Sequence, residues 1–131
     1  MNKFLFSLTV FTAIFCFSTN ADAKELIEEF TGSESATTAE FEIEAPWIVD
    51  WRVAGDYPGQ MAVEISLISD VGGEYIGKIA TTKYVTNGVK LFKEGGRFHF
   101  QVDSSLARWT IRVEKLTRKE AETYTPKEKI Q

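Results

Sequence analysis

Two stretches in the second half of the chain alternate apolar and polar side chains almost without interruption. They read Arg97-Phe98-His99-Phe100-Gln101-Val102 and Arg108-Trp109-Thr110-Ile111-Arg112-Val113. Successive side chains of a β-strand point to opposite faces of the sheet, so this period of two predicts two strands that each bury one face. The residues predicted to face the core are Phe98, Phe100, Val102, Trp109, Ile111 and Val113.

The same period recurs in the first half of the chain, on both sides of Pro46. Because proline cannot donate a hydrogen bond to a strand ladder, Pro46 is expected to mark a bend or an edge position between two strands. The predicted inward residues here are Phe41, Ile43, Ala45, Trp47, Val49, Trp51, Val53, Met61, Val63, Ile65 and Leu67.

Glycine-rich turn signals separate these strands at short intervals. Gly72-Gly73 and Gly95-Gly96 are expected to be turns, and Asn87-Gly88 is expected to be a tight hairpin turn, since both of its central positions favour positive φ. Helical spacing is hardly visible. The pattern predicts an all-β fold, a single antiparallel β-sandwich of jelly-roll type with seven or eight strands over residues 24–116, with a closed barrel as the alternative.

The first 23 residues have the layout of a secretory signal peptide: a basic start, an apolar stretch too short to cross a bilayer, and small residues at Ala21 and Ala23. Cleavage is expected before Lys24, and the protein is expected to be periplasmic or secreted. A retained membrane anchor is the less favoured alternative. Cys16 is the only cysteine and lies within this segment, so the processed chain would have no disulfide or thiolate chemistry.

Residues 117–131 are almost entirely polar and are expected to form a charged flexible tail, with a brief helix around residues 118–122 as a possibility. Residues 31–39 are expected to be a loop after a first short strand near residues 26–30.

The charge of the chain is unevenly distributed along its length. Residues 24–74 contain 12 acids and 2 bases, whereas residues 75–131 contain 6 acids and 12 bases. If strands from the two halves interleave, acids and bases pair across the sheets, and this is the favoured interpretation. If they remain on separate faces, the surface is dipolar and can steer a charged partner.

Catalytic and metal-binding signals are weak. His99 is the only histidine, and a serine nucleophile would need it beside Ser104 or Ser105, which lie in an apparent turn. Three or four ligands for zinc are not evident, and no phosphate-binding glycine loop is present. The sequence therefore predicts no catalytic residues, no metal site and no cofactor.

Other acidic groups have ordinary structural interpretations. Glu40, Glu42 and Glu44 share one strand face and are expected to be solvated or paired with Arg108 and Arg112. Calcium could be bound only if three aspartates, which are widely spaced in the sequence, gathered at one end of the sandwich, and they lack the spacing of a dedicated loop. These aspartates are Asp50, Asp56 and Asp70.

Aromatic side chains are the remaining functional candidates. Trp47, Trp51 and Trp109 lie on apolar strand faces and are expected to belong to the core. Aromatic residues in loops or near turns are expected to be more exposed and could stack on sugar rings or contact a protein. The candidate ligand-binding residues are Tyr57, Tyr75, Tyr84 and Phe92.

Three stretches together resemble small exported bacterial β-sandwich domains of jelly-roll type. They are Ala45-Pro46-Trp47-Ile48-Val49-Asp50-Trp51, Gly95-Gly96-Arg97-Phe98-His99-Phe100-Gln101-Val102 and Trp109-Thr110-Ile111-Arg112-Val113. The resemblance covers about half of the predicted mature chain. It implies that a tryptophan-bearing early strand and a glycine-turned final hairpin build the core, and it carries no catalytic residue onto this chain.

The sequence favours an exported, non-enzymatic binding or interaction module for an extracytoplasmic protein or glycan, with no nucleic acid partner and no membrane-spanning segment after cleavage. Net acidity and export argue against nucleic acid. An envelope-associated assembly subunit that uses an exposed sheet edge is the first alternative. A small hydrolase that uses carboxylates with His99 is the second.

Overall fold

A computed structural model describes residues 24–124. The predicted signal peptide and residues 125–131 lie outside the described residues. Within the described part there are nine strands and one short helix. The strands are β1 (Glu25–Gly32), β2 (Ala36–Thr37), β3 (Phe41–Ile43), β4 (Trp47–Ala54), β5 (Ala62–Ser69), β6 (Tyr75–Thr82), β7 (Thr86–Phe92), β8 (Gly96–Ser105) and β9 (Arg108–Lys115), and the helix is α1 (Arg118–Tyr124).

The strands form two packed sheets in which every neighbouring pair is antiparallel. Sheet A has the order β1-β9-β4-β7, and sheet B has the order β2-β8-β5-β6, with β3 also paired to β8. The predicted antiparallel sandwich is confirmed. If β2 and β3 are counted as one interrupted strand, two four-stranded sheets result, which is the strand number of a jelly roll.

The strand count was underestimated because the expected loop at residues 31–39 contains β2. Thr37 pairs with Gln101, Thr38 N donates to Phe100 O at 2.9 Å, and Phe100 N donates to the Thr38 hydroxyl at 2.9 Å. The Thr38 side chain thus replaces a backbone acceptor where the strand is interrupted. A run of Ser, Thr and Ala gives no apolar period by which this short pairing could be recognised.

The predicted inward residues form one core between the sheets, with one exception. Ala45 is exposed because β3 ends at Ile43 and the chain then crosses to sheet A through a cis Ala45–Pro46 bond. Trp51 is only half-buried but packs against the core. The fully buried large side chains include Trp47, Met61, Ile65, Leu67, Phe100 and Ile111.

The predicted hairpin turn at Asn87-Gly88 is wrong, because both residues lie inside β7. The chain bends instead at residues 83–85, where it passes from sheet B to sheet A. Gly88 is opposite Trp51, and a Cβ at Gly88 would lie 2.5 Å from Trp51 Cζ2. This glycine therefore serves the close approach of an indole ring and not a turn.

The segment predicted as a flexible tail begins with α1, so the alternative of a brief helix is correct. Thr117 Oγ1 accepts from Glu120 N at 3.1 Å, and Glu120 Oε1 accepts from Thr117 N at 3.0 Å, a reciprocal capping box. Leu116 N donates to Pro46 O, and both Leu116 and Ile48 are buried outside the main core. No helix within residues 24–124 is long and apolar enough to cross a membrane.

Most ion pairs join the two halves of the chain, as the favoured interpretation of the charge pattern predicts. Seven ion pairs occur among residues 24–124, and five of them join an acid before residue 75 to a base after it. The individual partners of Glu42 and Glu44 differ from those expected: they are Arg97 and Lys115. Acids of the first half meet bases of the second half because the chain crosses repeatedly between the two sheets, and this crossing interleaves early and late strands.

Candidate functional site

The candidate site lies along the side of the sandwich where β6 and β7 run as the edge strands of sheets B and A. We call residues 71–93, which comprise the turn before β6, both strands and their connection, the β6–β7 side. The two edges are linked across the opening between the sheets, since Lys90 Nζ donates to Lys78 O at 3.3 Å.

The β6–β7 side concentrates exposed apolar side chains. Nine large hydrophobic residues are exposed among residues 24–124, and six of them belong to this side. Single exposed apolar residues are ordinary, but a group of them marks an interaction surface. The six are Val71, Tyr75, Ile76, Tyr84, Val85 and Val89.

The tyrosines predicted to bind a ligand are all exposed: Tyr57 by 55%, Tyr75 by 58% and Tyr84 by 62%. The structure brings two of them to the same end of the sandwich, because the loop of Tyr57 meets the loop of Tyr84 through a 2.8 Å hydrogen bond from Gly59 N to Lys83 O. Tyr75 begins β6, whose eight residues separate it from that end. The candidates therefore form two aromatic positions at the two ends of β6.

Phe92 has a different environment from the three tyrosines. It is half-buried and stacks on Trp47, with ring centroids 4.5 Å apart and an interplanar angle of 18°. Its remaining exposed surface lines a groove of about 560 Å³ at the Tyr75 end of the β6–β7 side. Ile76, Lys90, Lys93 and Arg97 also line this groove. Phe92 thus anchors the wall of the groove and contributes little free ring surface.

The β6–β7 side is mainly positive, with one acid, Glu74, in the turn before β6. Residues 75–93 contain four lysines and no acid. Lys78 pairs with Glu64 at 3.4 Å, whereas Lys83 and Lys93 have no ion pair within residues 24–124. Unneutralised lysines beside exposed tyrosines favour a partner that carries negative charge.

The opposite side of the sandwich, formed by β1, β2 and β3, has the reverse charge. We call residues 25–44 the acidic side, because they contain seven glutamates and no lysine or arginine. Glu42 and Glu44 have basic partners, but Glu25, Glu28 and Glu29 have no ion pair in the described part of the chain. The dipolar surface, which was the less favoured interpretation of the sequence, is therefore also present.

His99 is placed on the outer face of sheet B, where its Nδ1 lies 2.6 Å from Asp70 Oδ1. Both side chains are largely buried, and Asp70 N donates to Arg97 O. The sequence did not predict this pair, because Asp70 comes into reach only through the register that places Ile68 opposite His99. The pair ties the end of β5 to β8.

The serine nucleophile considered from the sequence does not lie beside His99. Ser104 lies five residues further along β8, about 16 Å away at the rise of an extended strand. Its hydroxyl donates to Ala107 O at 3.2 Å, and its amide donates to Ser35 Oγ. Ser104 therefore stabilises the β8–β9 turn.

The three aspartates considered for calcium do not meet. Asp50 is on β4 near Arg52, Asp56 pairs with Arg108 at 3.6 Å, and Asp70 pairs with His99. Among residues 24–124 no three His, Cys, Asp or Glu side chains are grouped so that they could hold a metal ion.

One lysine has a perturbed pKa. The Tyr124 hydroxyl, through a hydrogen bond, raises the pKa of Lys24 above its ordinary value, and the charges of Glu114 and Asp50 act in the same direction, while burial opposes them. Lys24 Nζ also lies 5.0 Å from the centroid of the Tyr124 ring. This contact joins the residue before β1 to the end of α1 and is structural.

Comparison with known proteins does not assign the chain to a family: no protein-family model matches the chain, and no curated protein matches it.

Proposed function

We propose that this chain is an exported, non-enzymatic binding module that recognises an extracytoplasmic protein through the β6–β7 side. The observation that carries the proposal is the concentration of six exposed apolar side chains on this side, next to Lys83 and Lys93, which have no ion pair within residues 24–124. Interfaces are enriched in aromatic residues, and tyrosines often dominate their binding energy.

A protein fits this side better than a glycan does. The exposed set includes aliphatic side chains, Val71, Ile76, Val85 and Val89, which offer no stacking face to a sugar ring. Both β6 and β7 are also edge strands, whose outward backbone groups can pair with an extended segment of another protein. A glycan remains the alternative ligand for the two tyrosines that share one end, Tyr57 and Tyr84.

A non-enzymatic role is supported by the contacts of the groups that could do chemistry. His99 binds Asp70, and the Ser104 hydroxyl donates to a backbone carbonyl in a turn. Neither residue lines the groove beside Phe92. The groups of the β6–β7 side, lysines and tyrosines with valines and an isoleucine, suit recognition.

The test is capture of a partner from envelope extracts by the purified protein, followed by measurement of affinity. Replacing both Tyr75→Ser and Tyr84→Ser should weaken binding by about tenfold or more, since each truncation of an interface anchor costs on the order of 1–2 kcal/mol. Leu106→Ser is the matched control, because Leu106 is as exposed as these tyrosines but lies in the β8–β9 turn. Equal binding by the tyrosine variant and the wild type would contradict the proposal.

A further inference from the structure

We propose that the protein recognised by the β6–β7 side is a second copy of this chain, which adds its β1 to the β7 edge and so extends sheet A from copy to copy. This inference rests on the proposed function and names the partner of the same side. Each of the two strands pairs with only one neighbour within residues 24–124: β1 with β9, and β7 with β4.

Strand direction makes the two edges compatible. Sheet A has four strands that alternate in direction, so its two edge strands, β1 and β7, run in opposite directions. A second copy placed beside the first in the same orientation therefore presents β1 antiparallel to β7. The two strands are also matched in length, with eight and seven residues. The added pair continues the antiparallel ladder of the sheet without inversion of either copy.

Charge complementarity selects this pairing over the symmetric alternatives. β1 carries Glu25, Glu28 and Glu29 and no base, whereas β7 carries Lys90 and no acid and is followed by Lys93 and Glu94. Directly opposed charges of opposite sign stabilise a strand pair, and like charges destabilise it. Pairing of β1 with β1 would bring glutamates together, and pairing of β7 with β7 would bring no acid of either strand to Lys90. Only the pairing of β1 with β7 brings acid to base.

A specific register follows from the side chains on the two edges. The antiparallel register that places Glu28 opposite Lys90 also places Phe30 opposite Gly88. Phe30 packs against the core, and Gly88 is the position over which the Trp51 ring lies. The register therefore pairs opposite charges and places Phe30 next to the strand position that the Trp51 ring covers.

The contact is of the head-to-tail type, in which two different surfaces of the same chain meet. Such contacts generate rings when the rotation closes and open filaments when it does not. The remainder of the acidic side faces the remainder of the β6–β7 side in the same arrangement, so Glu40, Glu42 and Glu44 approach the neighbour's lysines. This is the behaviour of an assembly subunit that uses exposed sheet edges.

Charge-reversed variants test the inference. One variant carries Glu28→Lys and Glu29→Lys, and the other carries Lys90→Glu and Lys93→Glu. All four residues are exposed in the structure, so the folded domain should tolerate the changes, and the tryptophan near-ultraviolet circular dichroism of each variant checks this. Association is measured by sedimentation velocity at low and high salt.

The wild type should associate at low salt and dissociate as salt rises. Each variant alone has two edges of like charge and should associate at least about tenfold more weakly. An equimolar mixture should associate again, because each variant then meets an edge of opposite charge. A wild type that stays monomeric at low salt, or a mixture that does not regain association, would overturn the inference. Loss of partner capture by the Tyr75 and Tyr84 variant in that case would leave the proposed function intact.

Discussion

The acidic side and the β6–β7 side occupy equivalent places in the sandwich, each formed by one edge of sheet A and one edge of sheet B, but they are closed differently. On the acidic side Phe30 and Phe41 seal the opening with ring centroids 6.2 Å apart, and Phe30 also contacts Phe100 at 6.1 Å. On the β6–β7 side Phe92 stacks on Trp47 at one end. Aromatic rings fill the opening between the sheets on the acidic side, so its exposed surface is charged. On the β6–β7 side the opening is only partly filled, and apolar side chains are exposed.

The largest expected effect of this difference is on stability. Phe41→Ala should lower the free energy of unfolding by about 3–5 kcal/mol, because Phe41 is buried and contacts four aromatic rings. Phe92→Ala should cost about 1–2 kcal/mol, because part of the ring is already exposed to water. Urea unfolding of both variants, with Tyr75→Ala as an exposed aromatic control, measures the difference. Equal losses for Phe41 and Phe92 would show that the two sides are closed to the same extent.

The interior of the fold could be predicted from the sequence because the period of two marks β4, β5, β8 and β9, which supply most of the core. Trp47, Phe100 and Ile111 were predicted to be buried and are completely so. The sequence could not predict the strand interruption at Thr38 or the place where the chain crosses between the sheets, residues 83–85. Both depend on which strands are neighbours, and Asn87-Gly88 has the composition of a turn whether or not β6 and β7 share a sheet.

Only part of the candidate site could be predicted from the sequence. The exposure of Tyr57, Tyr75 and Tyr84 follows from their places near turns. Their distribution over two ends of β6, and the environment of Phe92 on Trp47, depend on packing between sheets. The His99–Asp70 pair depends on register. The capping box at Thr117 and Glu120 was visible in the sequence as a T-x-x-E motif and would have identified the start of α1.

A smaller difference in stability is expected when the glycines in the two edge strands of sheet A are replaced by alanine. A Cβ at Gly32 in β1 would lie 2.5 Å from Trp109 Cζ2, and a Cβ at Gly88 in β7 would lie equally close to Trp51 Cζ2. Gly32→Ala should cost about 1–3 kcal/mol, because Trp109 is buried and its Nε1 donates to Glu34 O at 3.0 Å. Gly88→Ala should cost less, because the half-exposed Trp51 ring can move outward.

Thermal unfolding and tryptophan fluorescence of the two variants measure this difference. Only the Gly88 variant should shift its emission toward that of a water-exposed indole. A larger loss of stability at Gly88 than at Gly32 would contradict the view that β7 is the more adaptable edge.

The smallest effects are expected for the surface ion pairs of the two sides. Removal of the pair between Arg97 and Glu42 on the acidic side, or of the pair between Lys78 and Glu64 beside β6, should change the free energy of unfolding by no more than about 1 kcal/mol, since all four side chains are well exposed. Double-mutant cycles in urea measure each pair. A coupling well above this value would mean that surface charge stabilises the monomer, and charge reversal would then be a poor probe of association.

The central claim is that the oppositely charged edges of sheet A, β1 and β7, meet between copies, and a cysteine pair tests it most directly. Cys16 is the only cysteine of the sequence, so a chain that begins at Lys24 has no competing thiol. A variant with Glu28→Cys and Lys90→Cys should form a ladder of disulfide-linked multimers under mild oxidation, because directly opposed residues in an antiparallel pair lie within the distance a disulfide requires.

The two positions cannot bond within one copy, since two strands separate β1 from β7 and the edges are about 14 Å apart. The matched control combines Glu28→Cys with Thr86→Cys, which moves one thiol four residues along β7. The account predicts a ladder for the first variant and little or none for the second. Multimers formed equally by both variants, or by neither, would contradict it.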